Sequence, residues 1–120
     1  MKRFRLLGGE GVRRSLSPRM HNRVLAACGL AGSYRAQPVP AGGVGRAVAR
    51  LAAAGAAGAN VTAPHKRAVV PHLASLAPEA AALGAVNTLV PAPGGFRGHN
   101  TDAAGFADAL ARAGFDPAGA

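Results

Sequence analysis

The chain has 120 residues, enough for folding to hide roughly two-thirds of the unfolded surface and build one core without disulfide staples. Hydrophobic residues make up 49% but aromatic residues only 4%, with no Trp, so Ala-sized side chains dominate and the layers pack closely. Fourteen Lys+Arg against five Asp+Glu give a formal charge of +9; this excludes an acidic disordered tail, and no apolar run approaches the roughly 20 residues of a membrane span.

In chain order, residues 2–7 read as a first strand that ends in the turn Gly8-Gly9-Glu10-Gly11. Ser17-Pro18 marks a helix start, with Ser17 expected as N-cap and Pro18 at the first helical position. Met20, Val24, Leu25 and Cys28 follow at helical spacing, and Gly29 is the stop. Residues 33–39 form a second strand closed by Pro38 and Pro40. Residues 44–54 form an Ala-rich helix with Val44, Val48 and Leu51 on one face, ended by Gly55.

A third strand is expected over residues 59–62. Pro64 then opens a helix that Pro71 must kink or end. A short helix runs from Pro78 to Leu83. Residues 86–90 and 96–99 read as strands joined by Ala92-Pro93-Gly94-Gly95. Thr101 is the expected N-cap of a last helix over residues 102–112, with Phe106 and Leu110 four apart and Asp102 complementing the helix dipole. Gly114 ends it, and residues 115–120 read as a linker. Strands alternating with helices predict a three-layer α/β/α domain with a mainly parallel sheet and one antiparallel strand.

The start of the chain is charged and lacks the apolar stretch of a secretory signal. Cys28 is the one cysteine, and no Cys/His cluster has zinc spacing, so a reducing cytosol and no metal are expected. Twelve of the fourteen cations are Arg, dispersed and without interleaved aromatics. This is the pattern of a solvated basic surface rather than a nucleic-acid platform, and it favours an anionic small molecule.

In open parallel sheets, ligands bind beyond the carboxyl ends of the strands. Four polar clusters fall at such places. Ser15-Leu16-Ser17-Pro18 with His21-Asn22 sets two hydroxyls beside a helix N-terminus, suited to a carboxylate or phosphate, or simply to capping. Asn60-Val61-Thr62-Ala63-Pro64-His65-Lys66 places a cation in the first turn of the expected helix, where it opposes the dipole. Gly84-Ala85-Val86-Asn87-Thr88 carries an Asn that must be hydrogen-bonded when buried, to structure or to ligand. Gly98-His99-Asn100-Thr101-Asp102 ends at a helix start. The four histidines are dispersed and read as structural.

In this order and spacing, the clusters resemble the N-terminal substrate-binding domain of shikimate dehydrogenases. That family carries S-x-S-P-x-x-H-N, N-V-T-x-P-x-K, G-A-V-N-T and an N-T-D-x-x-G-F-like segment. They stand here at Ser15 to Asn22, Asn60 to Lys66, Gly84 to Thr88 and Asn100 to Phe106. The turn before Ser15 departs from the family's G-x-P-V-x-H-S and reads Gly9-Glu10-Gly11-Val12-Arg13-Arg14, which loosens that loop while Arg14 adds positive charge.

The resemblance implies reversible reduction of 3-dehydroshikimate to shikimate with NADPH. It implies that Ser15 and Ser17 hold the substrate carboxylate, and that Asn60, Thr62, Asn87 and Asp102 hold ring hydroxyls. Lys66 would be the proton donor and acceptor, partnered by Asp102. The family's NADP domain follows the N-T-D helix. Here G-x-G-x-x-G is absent and the sequence stops, so residues 1–114 are expected to be the substrate half and 115–120 the start of a linker to an absent Rossmann domain. By itself this half is expected to be inactive. The rival readings are a quinate/shikimate dehydrogenase fragment, against which Ser17 weighs, and a stand-alone module that binds a hydroxylated carboxylate.

Overall fold

The computed structural model describes residues 1–114; the expected linker, residues 115–120, lies outside the described residues. Six strands form one sheet in the order β2-β1-β3-β5-β6-β4: β1 (Lys2–Gly8), β2 (Gly32–Pro38), β3 (Gly58–Val61), β4 (Ser75–Leu76), β5 (Thr88–Ala92) and β6 (Gly95–His99). β1 pairs in parallel with β2 and β3, and β4 with β6; β5 alone runs antiparallel to its neighbours. The mainly parallel sheet with one antiparallel strand is therefore present. The two-residue β4 lacks a sequence signal, because a strand this short has no alternation to read.

Register sorts the side chains by face. The row Leu7–Val61 and its neighbours Ala59–Leu89 turn to one side. There they join Val44, Ala47, Val48 and Leu51 of α2 (Val44–Ala53), Ala80 of α3 (Pro78–Leu83) and Phe96 in the main core. The adjacent row, Ala36–Leu6–Asn60–Thr88, turns to the other side. A smaller cluster of Leu6, Val12 and Tyr34 forms there, and α1 (Ser17–Ala27) packs beside β2. One residue of slip would exchange Asn60 with Val61 between core and cleft.

Four expectations need correction. α1 starts at Ser17 with Leu16 as N-cap, and it is the Ser15 hydroxyl that accepts the Ser17 N–H (3.1 Å). Ser17 does not cap; its hydroxyl is left for other partners. Met20, Val24 and Cys28 lie on the expected helix, yet α1 buries no side chain and these three are exposed.

The helix expected from Pro64 does not form. Residues 63–69 make successive turns, then a single 3-10 turn spans Val70–His72. Buried Val69 and His65, whose Nε2 donates to the Val39 carbonyl (2.7 Å), pin this stretch between two prolines. Lys66 thus lies in a turn, and its expected conflict with a helix dipole disappears. In α4 (Asp102–Arg112), Thr101 occupies the N-cap position but makes no side-chain cap bond. Asn100 Oδ1 instead accepts the N–H groups of Asp102 (2.9 Å) and Ala103 (3.3 Å), and Phe106 stands exposed.

Candidate active site

All four clusters contribute to a cavity of about 240 Å³ walled by Leu6, Ser17, His21, Tyr34, Asn60, Val61, Thr62, Lys66, Asn87 and Asp102. Its floor is the end of the parallel strands. Asn60 reaches it from β3, and Thr62 follows just past the strand end, on the same side by alternation. A Cβ on Gly8 would stand 2.6 Å from the Thr62 methyl, so glycine there lets β1 end against Thr62. The departing turn before Ser15 is an ordered 3-10 helix, Glu10–Arg14, seated by buried Val12. A larger cavity of about 610 Å³ between the β2–α2 loop and His72 holds none of the four clusters.

The charged centre is Lys66 Nζ against Asp102 Oδ2 at 2.6 Å, bridging the turn after β3 to the first residue of α4. The Lys66 hydrogen bond holds the Asp102 carboxyl below its ordinary range, the Asn87 amide adds to the effect, and partial burial opposes it. Asp102 is therefore a carboxylate at neutral pH.

Around the pair runs a continuous hydrogen-bonded network. Asn87 Nδ2 donates to Asp102 Oδ1 and to Thr101 Oγ1, both at 2.9 Å. Asn87 Oδ1 accepts from the Thr101 N–H (3.1 Å) and from Thr88 Oγ1 (2.9 Å). Asn60 Nδ2 donates to the Asn87 carbonyl (3.3 Å) and Thr88 Oγ1 (3.4 Å), while Asn60 Oδ1 accepts from the Tyr34 hydroxyl (2.9 Å). Both amides thus have protein partners at the nitrogen and at the oxygen, and they act as braces within the wall. The hydroxyls of Ser17 and Thr62 have no partner among the described residues.

Of the residues singled out in the sequence, Ser17, Asn60, Thr62, Lys66, Asn87 and Asp102 share this cavity. Ser15 does not line it and supports the Ser17 backbone instead. Tyr34 and His21 were missed as wall residues. They stack with ring centroids 4.1 Å apart and planes 9° from parallel. His21 belongs to the first motif, so its position was a usable signal; Tyr34 meets Asn60 only through strand register.

Among the described residues no group of three or more His, Cys, Asp or Glu is placed to hold a metal. No helix there is long and apolar enough to cross a membrane. Neither glycine cluster offers a dinucleotide seat. Gly8 to Gly11 leads into a 3-10 turn with Glu10 in front, and Gly94-Gly95 closes a hairpin with no helix behind it.

The sequence and the fold both resemble known proteins. Residues 7–89 match the family model described as the shikimate dehydrogenase substrate binding domain. The chain is 50% identical over 111 residues to a shikimate dehydrogenase (NADP(+)) of Moorella thermoacetica, covering 92% of this chain and 38% of the relative. The shikimate 5-dehydrogenase of Thermus thermophilus, solved with NADP(H) and shikimate, superposes with TM-score 0.85 at 41% identity, over 96% of this chain and 43% of that one. The Listeria monocytogenes enzyme, solved with shikimate and NAD, gives TM-score 0.87 at 37% identity, over 97% and 40%. This chain spans about two-fifths of the length of these relatives. The family model covers most of the chain, and the chain belongs to the shikimate dehydrogenase substrate-binding domain family.

Proposed function

We propose that this chain is the substrate-holding and proton-transferring half of an NADP-dependent shikimate dehydrogenase, which interconverts 3-dehydroshikimate and shikimate. The observation that carries the reading is the Lys66–Asp102 pair set in a cavity that also presents the Ser17 and Thr62 hydroxyls. Ser17, with Ser15 supporting it, receives the substrate carboxylate. Thr62 and Asp102 meet ring hydroxyls, while Asn60 and Asn87 fix the wall that orients the ring. Reduction of a ketone turns its oxygen into an alkoxide, and the Lys66 ammonium both stabilises that charge and supplies the proton. In the reverse direction Lys66 takes the proton back, and Asp102 holds the amine on station.

The NADP in the relatives' names has no fitting seat among the described residues, so these residues are assigned binding and proton transfer only. Residues 1–114 form the substrate domain. A cytosolic setting fits the exposed free thiol of Cys28, and the dispersed Arg residues are assigned to solvent rather than to nucleic acid. Ser17, rather than threonine, favours shikimate over quinate.

The test is titration of the chain with shikimate, followed by amide NMR, with quinate as control. Saturable shifts at Ser17, Thr62, Asn87 and Asp102 are expected, and a folded chain that does not respond overturns the reading. Within an intact two-domain enzyme carrying this half, Lys66→Ala should lower kcat by about 10²- to 10⁴-fold with little change in KM. Loss of affinity with turnover kept would remove Lys66 from the chemistry.

A further inference from the structure

The first motif contains two residues, His21 and Asn22, that the proposed chemistry does not use. α1 brings Ser17 to the cavity, yet it buries no side chain. Most helices are held in place by a buried apolar face; this one has none, and its side-chain hydrogen bonds to the sheet go to a single residue of the edge strand. Asn22 Nδ2 donates to the Tyr34 carbonyl (2.9 Å), and the Tyr34 N–H donates to Asn22 Oδ1 (2.8 Å). One side-chain amide thus pairs with both backbone groups of Tyr34 on the outer edge of β2, as a neighbouring strand would.

The preceding residue, His21, stacks on the Tyr34 ring, and its Nδ1–H donates to the Ser17 carbonyl one turn back (2.8 Å). Tyr34 then hands the contact on through its hydroxyl to Asn60, to Thr88 and Asn87, and so to Asp102 and Lys66.

We infer that His21 and Asn22 are positioning residues: through Tyr34 they fix where Ser17 stands relative to the Lys66–Asp102 pair, and so set the affinity for the substrate's carboxylate end. The inference rests on the reading of the cavity as a shikimate site. Neither residue need touch the ligand for it to hold. Its signature is selectivity: disturbing the clamp should matter for a ligand that reaches the serine limb and not for one that does not.

The experiment measures Kd of the chain for shikimate and for the same cyclohexene triol without its carboxylate, in the unaltered chain, Asn22→Ala and His21→Leu. Each substitution should weaken shikimate binding by about tenfold, the scale of one lost polar contact. Binding of the carboxylate-free triol should change by less than about twofold. His21 is half-exposed on a helix without buried residues, so His21→Leu retains the fold should Asn22→Ala lose it. Equal losses for both ligands would show a general structural role and overturn the inference while leaving the proposed function intact. An unaltered chain that binds neither ligand would overturn both.

Discussion

Tyr34 is the chain's one tyrosine, and there is no tryptophan, so its optical signals report on a single place in the molecule. It is 3% exposed, stacked on His21, and donates its hydroxyl proton to Asn60. Burial disfavours the phenolate and pushes the pKa from the ordinary 10.0 to about 12. The unfolded chain therefore gives up this proton near pH 10 while the folded chain keeps it. Tyr34's contribution to stability is full below 10 and is lost as pH rises through about 12. Titration of the tyrosinate absorbance should show a midpoint near 12 in the native chain and near 10 in urea; coincident midpoints would mean that Tyr34 is not sequestered. Lys66 and Asp102 were legible in the sequence because each follows within a few residues of a strand end, and their pairing needs only that two strand ends be close. The protein partners of Asn60 and Asn87 were not legible. They lie 26 to 28 residues away along the chain for Asn60, and for Asn87 they depend on whether Thr88 and Thr101 face the same way.

At the level of elements, α4 matters because its first residue is Asp102, and the side chain that starts it is Asn100. Buried Asn100 accepts the N–H groups of Asp102 and Ala103 through Oδ1 and ties Nδ2 to the Ala85 carbonyl (3.1 Å). α4 buries no side chain of its own, so this cap and the Asp102 contacts are what hold its first turn against the domain. Asn100→Ala should cost about 1–2 kcal/mol, the upper range for a lost N-cap, because a buried anchor goes with it. Chemical denaturation reads that cost, and faster exchange of the Asp102 and Ala103 amides should accompany it. Thr101→Ala should cost less, since Asn87 retains Asp102 as a partner; a larger loss at Thr101 than at Asn100 would return the cap to Thr101. The positions of α2, α3 and α4 were readable from apolar spacing, Pro at the start and Gly at the end. The stretch after Pro64 misled because a helix start signal says nothing about tertiary pinning. Val69 and His65 are drawn inward four residues apart, in a segment with a second proline at Pro71 and no room to propagate.

The whole molecule has two unequal sides. Under α2 and α3, fourteen buried residues form one continuous core that includes Leu7, Val61, Leu89 and Phe96. On the other face the buried cluster is Leu6, Val12 and Tyr34, and α1 leaves Met20 and Val24 more than half exposed. Spacing along α1 showed that it is amphipathic; it could not show what covers the apolar stripe, because periodicity names a face and not its neighbour. Stability should divide along the same line. Leu51→Ala removes a side chain 7% exposed within the main core and should cost about 2–5 kcal/mol. Val24→Ala, at a position 57% exposed, should change stability by no more than about 0.5 kcal/mol. Hydrogen exchange should rank the amides of β1, β3 and α2 as most protected, and those of α1 and α4 as least. The cavity lies across this boundary: Asn60 and Thr62 belong to the firm sheet, while Ser17 and Asp102 ride on the two lightly held helices. A ligand that bridges them must therefore raise protection in the first turns of α1 and α4 together while leaving α2 unchanged. Protection gained by α2 alone would place the ligand elsewhere on the sheet.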